Sequence, residues 1–283
     1  MAGETILLTG GSSGIGYATA VELARRGANL IIVCRSAERG EQTIAAVKSA
    51  SGSSTVEYLV GDLARLEDVR RAAREFIASG RPLHVLLNNA GVVNLNYKVT
   101  ADGIEEVFAI NHLAPFVLTN ELLPRLREST PARVVTVASD AHKFVNGINF
   151  DDLGFEKSYG WMKSYGQSKL ANILFTYELA QRLTGSGVTA NCLHPGAVGT
   201  NLGNNNGWWA RGLIGLLRPF LKTPQRGART SVFLATSPDV AEVTGKYFSN
   251  SRQARSSKAS HDTESAKRLW EVSVNLTTQS RSA

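Results

Sequence analysis

Thr5–Gly16 reads TILLTGGSSGIG, and Tyr17–Arg26 continues it as YATAVELARR. Thr5–Thr9 is short, apolar and β-prone, so it reads as a strand. Gly10–Gly16 (GGSSGIG) cannot be a helix interior. Tyr17–Arg26 carries apolar residues at helical spacing, and Gly27 ends it as a C-cap. Strand, glycine turn and helix in that order form an anion-binding unit. The glycines let a pyrophosphate approach the backbone, and the helix N-terminus offers unpaired N–H groups and a positive dipole end. The competing reading, an ordinary glycine turn, does not account for the flanking strand and helix.

Outward from this unit the alternation repeats. Asn29–Val33 (NLIIV) is a strand without polar alternation, as expected for one covered on both faces in a parallel sheet. Helix 39–49, strand 56–60, helix 66–77, strand 85–88, helix 104–123, strand 133–138, helix 164–182, strand 188–193, helix 224–235 and strand 247–248 follow. Repeated strand–helix units predict a doubly wound parallel α/β sheet with right-handed crossovers. The segment 249–260 is polar and reads as loop, and 263–276 reads as a terminal helix with Ala266, Leu269 and Trp270 facing inward.

Composition bounds the function. The chain has 283 residues, 43% hydrophobic and 19% charged, enough to bury a full core without a disulfide or metal staple. Lys plus Arg is 31 against 24 Asp plus Glu, a formal +7 that suits an anionic small ligand or an acidic surface and does not demand nucleic acid. Cys34 and Cys192 sit in separate apolar runs with no CxxC pair, which argues against a zinc site and for a reducing compartment. No apolar run reaches the roughly 18–20 residues of a membrane span. Met1–Glu4 passes directly into the first strand, so no signal peptide is expected.

Glycines 10, 14 and 16 are spaced as TGxxxGIG, and with this spacing the sequence resembles the short-chain dehydrogenase/reductase family over nearly its whole length. The resemblance implies a single doubly wound parallel-sheet Rossmann domain spanning 1–250, with 251–283 as a C-terminal helical extension of the same domain. It implies cofactor contacts from Gly10, Ser12, Ser13, Gly14, Ile15 and Gly16 at the pyrophosphate. The tip of the second strand has Arg35 and no acid; its planar fork suits the 2′-phosphate of NADP(H). Asp62 and Leu63 match the family's adenine-binding Asp-Leu pair, and Asn88-Asn89-Ala90-Gly91 matches its NNAG. Pro195, Gly196, Val198 and Thr200 match the segment that borders the nicotinamide.

The chemistry sits in Tyr165-Gly166-Gln167-Ser168-Lys169. On a helix, positions i and i+4 share a face, so Tyr165 and Lys169 can reach one site. A carbonyl accepting hydride needs a proton donor, and free tyrosine, with a pKa of about 10, suits poorly at neutral pH. A nearby ammonium, together with the nicotinamide charge in the oxidised complex, is therefore expected to lower the Tyr165 pKa. Ser139, at the carboxyl end of a central strand, would hydrogen-bond the substrate oxygen. By the resemblance, Asn111 completes a tetrad, and Lys169 also holds the nicotinamide ribose. His112 and His194 read as packed or hydrogen-bonded residues. Tyr159 and Lys163 form a decoy YxxxK, set aside because Tyr159 adjoins Gly160 in a loop-like stretch.

The long segment between Ser139 and Tyr165, with GKYF at 245–248 and RLWE at 268–271, resembles the retinol-dehydrogenase branch, itself similar to the protochlorophyllide-reductase and WW-domain oxidoreductase groups. That likeness implies a lipophilic aldehyde, ketone or alcohol as substrate. Residues 203–223 include Trp208 and Trp209 among apolar and cationic neighbours. A lid over an apolar substrate, a peripheral membrane contact through 207–222, and a packing surface all fit that composition. The reading is thus an NADP(H)-dependent carbonyl reductase, cytoplasmic or peripheral to membrane, with a homodimer open. The competing readings are an NAD-dependent alcohol dehydrogenase and a non-catalytic nucleotide-binding protein.

Overall fold

A computed structural model describes residues 2–196 and 223–279. Its frame is the first unit. β1 (Thr5–Thr9) is followed by α1 (Gly14–Arg25), then β2 (Asn29–Cys34), α2 (Ala37–Ser51), β3 (Val56–Val60), α3 (Leu66–Ala78) and β4 (Val85–Asn88). A short helix α4 (Glu106–Phe108), a π-helical turn (Ala109–Leu113) and α5 (Ala114–Glu128) lead to β5 (Ala132–Val137). Next come α6 (Trp161–Arg182) and β6 (Val188–His194). Further along the chain lie α7 (Pro224–Thr236), β7 (Tyr247–Ser249), β8 (Arg252–Gln253) and α8 (Thr263–Gln279).

The strands form one sheet in the order β3-β2-β1-β4-β5-β6-β7-β8. The order reverses between β1 and β4, where the crossovers switch from one face to the other. This opens a crevice at the carboxyl edge of the sheet. The unbroken apolar character of β1 has a direct cause. Leu7 packs with α3, α5 and α6 on one face, whereas Ile6 and Leu8 pack with α1, α2 and α7 on the other. With both faces covered, no position in the strand is left for water.

Three features differ from the sequence reading. First, the sheet is mixed: β8 pairs antiparallel to β7 inside the segment expected to be loop. Asn250 and Ser251 have φ of 52° and 58°, the left-handed pair that closes a tight hairpin. Second, the helix expected over 104–123 starts at Glu106 and widens to π geometry at Ala109–Leu113. Glu105 caps its start by accepting from Val107 N–H at 3.0 Å and Phe108 N–H at 2.8 Å. Third, two helices begin three residues before the expected start: α1 at Gly14, within the glycine stretch, rather than Tyr17, and α6 at Trp161 rather than Ser164.

The terminal helix α8 is part of the core. Ala266 and Leu269 are buried in the cluster that holds α3, α5 and α6. Trp270 stacks on Phe175, with ring centroids 5.8 Å apart, and meets Phe116 edge-on at 5.0 Å. The Arg182 guanidinium covers the Trp270 ring at 4.3 Å. Burying the Leu269 side chain therefore ties the end of the chain to its centre. Leu269→Ala is expected to lower folding stability by about 3 kcal/mol, measured by urea unfolding. A loss of less than about 1 kcal/mol would show that α8 lies outside the cooperative core.

Candidate active site

At the carboxyl edge of β1 the glycines are required by geometry. Gly10 and Gly14 have φ of 69° and 54°. A Cβ on Gly16 would stand 1.9 Å from the Gly10 carbonyl oxygen, so only glycine lets α1 start this close to the loop. Asn89 fixes the loop by donating its Nδ2 to the carbonyls of Thr9 at 3.0 Å and Gly10 at 3.2 Å. Thr9 Oγ1 in turn accepts from the backbone N–H groups of Asn89 and Ala90. Unlike α2, whose Ser36 caps Arg39 N–H, α1 has no side-chain cap at Ser13. The N-terminus of α1 thus faces the crevice with donors suited to a phosphate.

The other sequence-chosen cofactor residues surround the same edge. Arg35 follows β2 and is exposed, with no carboxylate beside it in Cys34-Arg35-Ser36. Asp62 follows β3, where its Oδ1 accepts from Ala64 N–H at 3.0 Å. Leu63 and Ala90 line a small hollow with Thr9, Ile110 and Pro115. Pro195 and Gly196 follow β6, and Gly196 has φ of 94°. Val198, Thr200, Trp208, Trp209 and nearly all of 203–223 lie outside the described residues.

The residues read as a tetrad come from three elements: Asn111 from the π turn, Ser139 from just after the end of β5, and Tyr165 and Lys169 from α6. The π turn sets Asn111 facing the NNAG segment. Its Oδ1 accepts from Val92 N–H at 2.7 Å, and its Nδ2 donates to the Val92 carbonyl and to Ser168 Oγ, both at 3.0 Å. Asn111 is fully buried, so this widened turn has its polar side chain saturated. Ser168 passes the restraint on by donating to the Tyr165 carbonyl at 2.8 Å. Sequence reasoning gave Ser168 no role, although its place in the YxxSK motif marked it.

Lys169 is 3% exposed and donates its Nζ to the Val137 carbonyl at 3.1 Å, 5.6 Å from the centroid of the Tyr165 ring. A Cβ on Gly91 would come within 3.2 Å of that Nζ, so the glycine keeps room beside it. Burial pulls Lys169 down to about 8. Tyr165, partly exposed, is pushed up to about 12 by burial, with the neighbouring Ser139 opposing the rise. The expected depression counts on the nicotinamide charge of the oxidised complex as well as the ammonium; among the protein's own groups, burial is the larger influence and raises the phenol. Ser139 is held in extended backbone after β5, and its Oγ accepts from Ala141 N–H at 3.2 Å.

The decoy has a different task. Tyr159 precedes α6 and donates its hydroxyl to the Asn94 carbonyl at 2.8 Å, with its ring edge-on to Tyr97. His112 is buried among Phe108, Phe116 and Phe175 and held down to about 3 by burial. Its Nε2 donates to Ser273 Oγ at 2.9 Å, since that hydroxyl donates to the Leu269 carbonyl. His194 accepts from Asp140 N–H at 3.2 Å.

Comparison with known proteins defines the class to which this geometry belongs. The family model of the short chain dehydrogenases matches residues 4–210. Retinol dehydrogenase 12 of Mus musculus is 43% identical over 274 residues, covering 97% of this chain and 86% of that protein. An uncharacterized protein of Mycobacterium paratuberculosis superimposes with a TM-score of 0.78 at 36% identity, over 98% of this chain and 94% of the other. The Pseudomonas aeruginosa RhlG/NADP active-site complex gives a TM-score of 0.70 at 28% identity, over 88% and 94% of the two chains. The chain belongs to the short-chain dehydrogenase/reductase family, in its retinol-dehydrogenase-like branch. It is an oxidoreductase of that family, which uses a nicotinamide cofactor. No described helix is long and apolar enough to cross a membrane.

The glycine turn is the tightest element of this edge. Gly16→Ala is expected to cost about 2 kcal/mol of folding stability through overpacking against Gly10 and to weaken binding of the nicotinamide dinucleotide. Thermal unfolding and calorimetric titration read the two effects; unchanged values in both would show that the loop gives way freely.

Proposed function

We propose that the protein is an NADP(H)-dependent oxidoreductase that interconverts a lipophilic aldehyde or ketone with its alcohol, working as a reductase. The observation that carries this reading is the Tyr165 phenol, beside Ser139 and standing one helical turn from the buried Lys169 ammonium. The likeness to retinol dehydrogenases supports an alcohol–carbonyl couple on a lipophilic skeleton. The likeness to the RhlG/NADP complex supports the phosphorylated cofactor, as does Arg35.

The residues present fit a dinucleotide. The uncapped start of α1 and Gly10, Ser12, Ser13, Gly14, Ile15 and Gly16 would hold the pyrophosphate, and Arg35 the 2′-phosphate. Asp62 and Leu63 would hold the adenine, Asn89, Ala90 and Gly91 the ribose, and Lys169 the second ribose. Pro195, Gly196, Val198 and Thr200 complete the set by sequence. When bound, the reduced nicotinamide supplies the hydride for the carbonyl carbon. The protein's own residues handle the oxygen. A phenol pushed up to about 12 holds its proton at neutral pH and is a weak acid, so its donation to the carbonyl oxygen relies on the Lys169 ammonium stabilising the phenolate that is left. Ser139 donates to the same oxygen and stabilises the charge that develops there. Once the proton has left, the Lys169 ammonium, present below about 8, offsets the phenolate charge.

The apolar residues of 203–223, Trp208 and Trp209 among them, support the lipophilic class of substrate and a membrane-peripheral address. Residues 251–283 belong, on this reading, to the same domain as 1–250. An NAD-dependent alcohol dehydrogenase is the second reading, and cofactor kinetics separate it from the first.

Two outcomes are expected. Tyr165→Phe abolishes NADPH-dependent reduction of medium-chain aldehydes, by at least roughly a hundredfold, while Tyr159→Phe stays within a few-fold of wild type. Retained turnover in Tyr165→Phe would refute the assignment. Arg35→Ala raises KM for NADPH by about tenfold or more and leaves KM for NADH nearly unchanged; equal shifts for both cofactors would remove Arg35 as the selector.

A further inference from the structure

The turn that follows Ser139 is a 3-10 helix over Asp140–Phe144, and it buries one histidine completely. Both ring nitrogens of His142 are engaged. Nδ1 lies 2.6 Å from the Ser139 carbonyl oxygen, which can only accept, so Nδ1 carries the proton. Nε2 accepts from the backbone N–H of Ser257 at 2.9 Å. The two partners fix a neutral imidazole in one tautomer, and burial pulls its pKa down, which keeps it neutral. The Tyr247 ring closes over the imidazole edge-on, with centroids 5.3 Å apart.

The Ser139 carbonyl receives a second bond, from His142 N–H at 3.1 Å. Two donors from one residue therefore hold the peptide plane on the carboxyl side of Ser139. Ser139 Oγ itself accepts from Ala141 N–H, so the hydroxyl proton is directed away from the turn. Rotation of the Ser139 peptide would move Oγ with it. Ser257 belongs to the C-terminal extension, 115 residues beyond His142, so no local motif announces the bond between them.

We propose that His142 is the positioning residue for Ser139: its imidazole, oriented by the Ser257 peptide N–H, fixes the Ser139 carbonyl and so aims the Ser139 hydroxyl at the substrate oxygen. The inference rests on the reading of Ser139 as the donor to that oxygen. It makes the C-terminal extension a supporting wall of the active site, reached through one hydrogen-bonded ring. His142 itself touches neither substrate nor cofactor.

A double-mutant cycle on the full-length protein tests it, with NADPH-dependent aldehyde reduction as the readout. His142→Leu is expected to lower kcat roughly 10- to 100-fold, the scale of an ångström-sized misplacement, with KM for NADPH little changed. In a Ser139→Ala background the same substitution is expected to cost almost nothing further, because there is no hydroxyl left to aim. His142→Asn, whose Nδ2 can still donate to the Ser139 carbonyl, should recover most of the loss. Ser257→Pro removes the N–H together with a hydroxyl that has no hydrogen-bond partner among the described residues, at a φ of −66° that proline adopts without strain, and should lower kcat in the same direction by less. This variant carries the test if His142→Leu does not fold. Equal fold-losses for His142→Leu, or for Ser257→Pro, with and without the Ser139 hydroxyl would overturn the proposal and leave the site reading intact. Full activity in Ser139→Ala would overturn both.

Discussion

A cation buried in a protein must be held, or it loses its charge. Here the Lys169 ammonium is tethered to the Val137 carbonyl at the end of a central strand, and much of the working edge is arranged around it. Gly91 leaves it space, Asn111 and Ser168 brace the helix that carries it, and Tyr165 lies one turn before it on the same face. The tether also explains why the site sits at the carboxyl end of a parallel sheet. Only there does a strand end with a free carbonyl beside the first turns of the helices that cross above it.

Much of this was legible in the sequence because the responsible patterns are local. TILLT and NLIIV lack polar alternation since both faces of each strand are covered, and GGSSGIG and YGQSK place their chemistry within a few residues. What escaped the sequence has long-range or aperiodic causes. In AINHL, Asn111 also reads as a helix-distorting residue with a backbone hydrogen bond, as its bonds to Val92 show; that the distortion takes π form was not legible. Asn250-Ser251 lacks the glycine that usually announces a hairpin, so β8 was hidden in a polar stretch.

Two buried histidines are joints between distant parts of the chain. His112, a packed residue as its sequence context suggests, also links the π turn to Ser273, and His142 links the Ser139 turn to Ser257. Each is neutral, and each lies in a turn that carries a residue assigned to the reaction. A fold-level description would place the extension at the periphery. Its hydrogen bonds place it against the rear of the site.

The aromatic stack of Phe116, Phe175 and Trp270 has a consequence for biosynthesis. Translation makes the first two rings long before the third, so a growing chain presents uncovered greasy surface until residues beyond 263 have left the ribosome. The core around these rings therefore closes only once the final helix has been made.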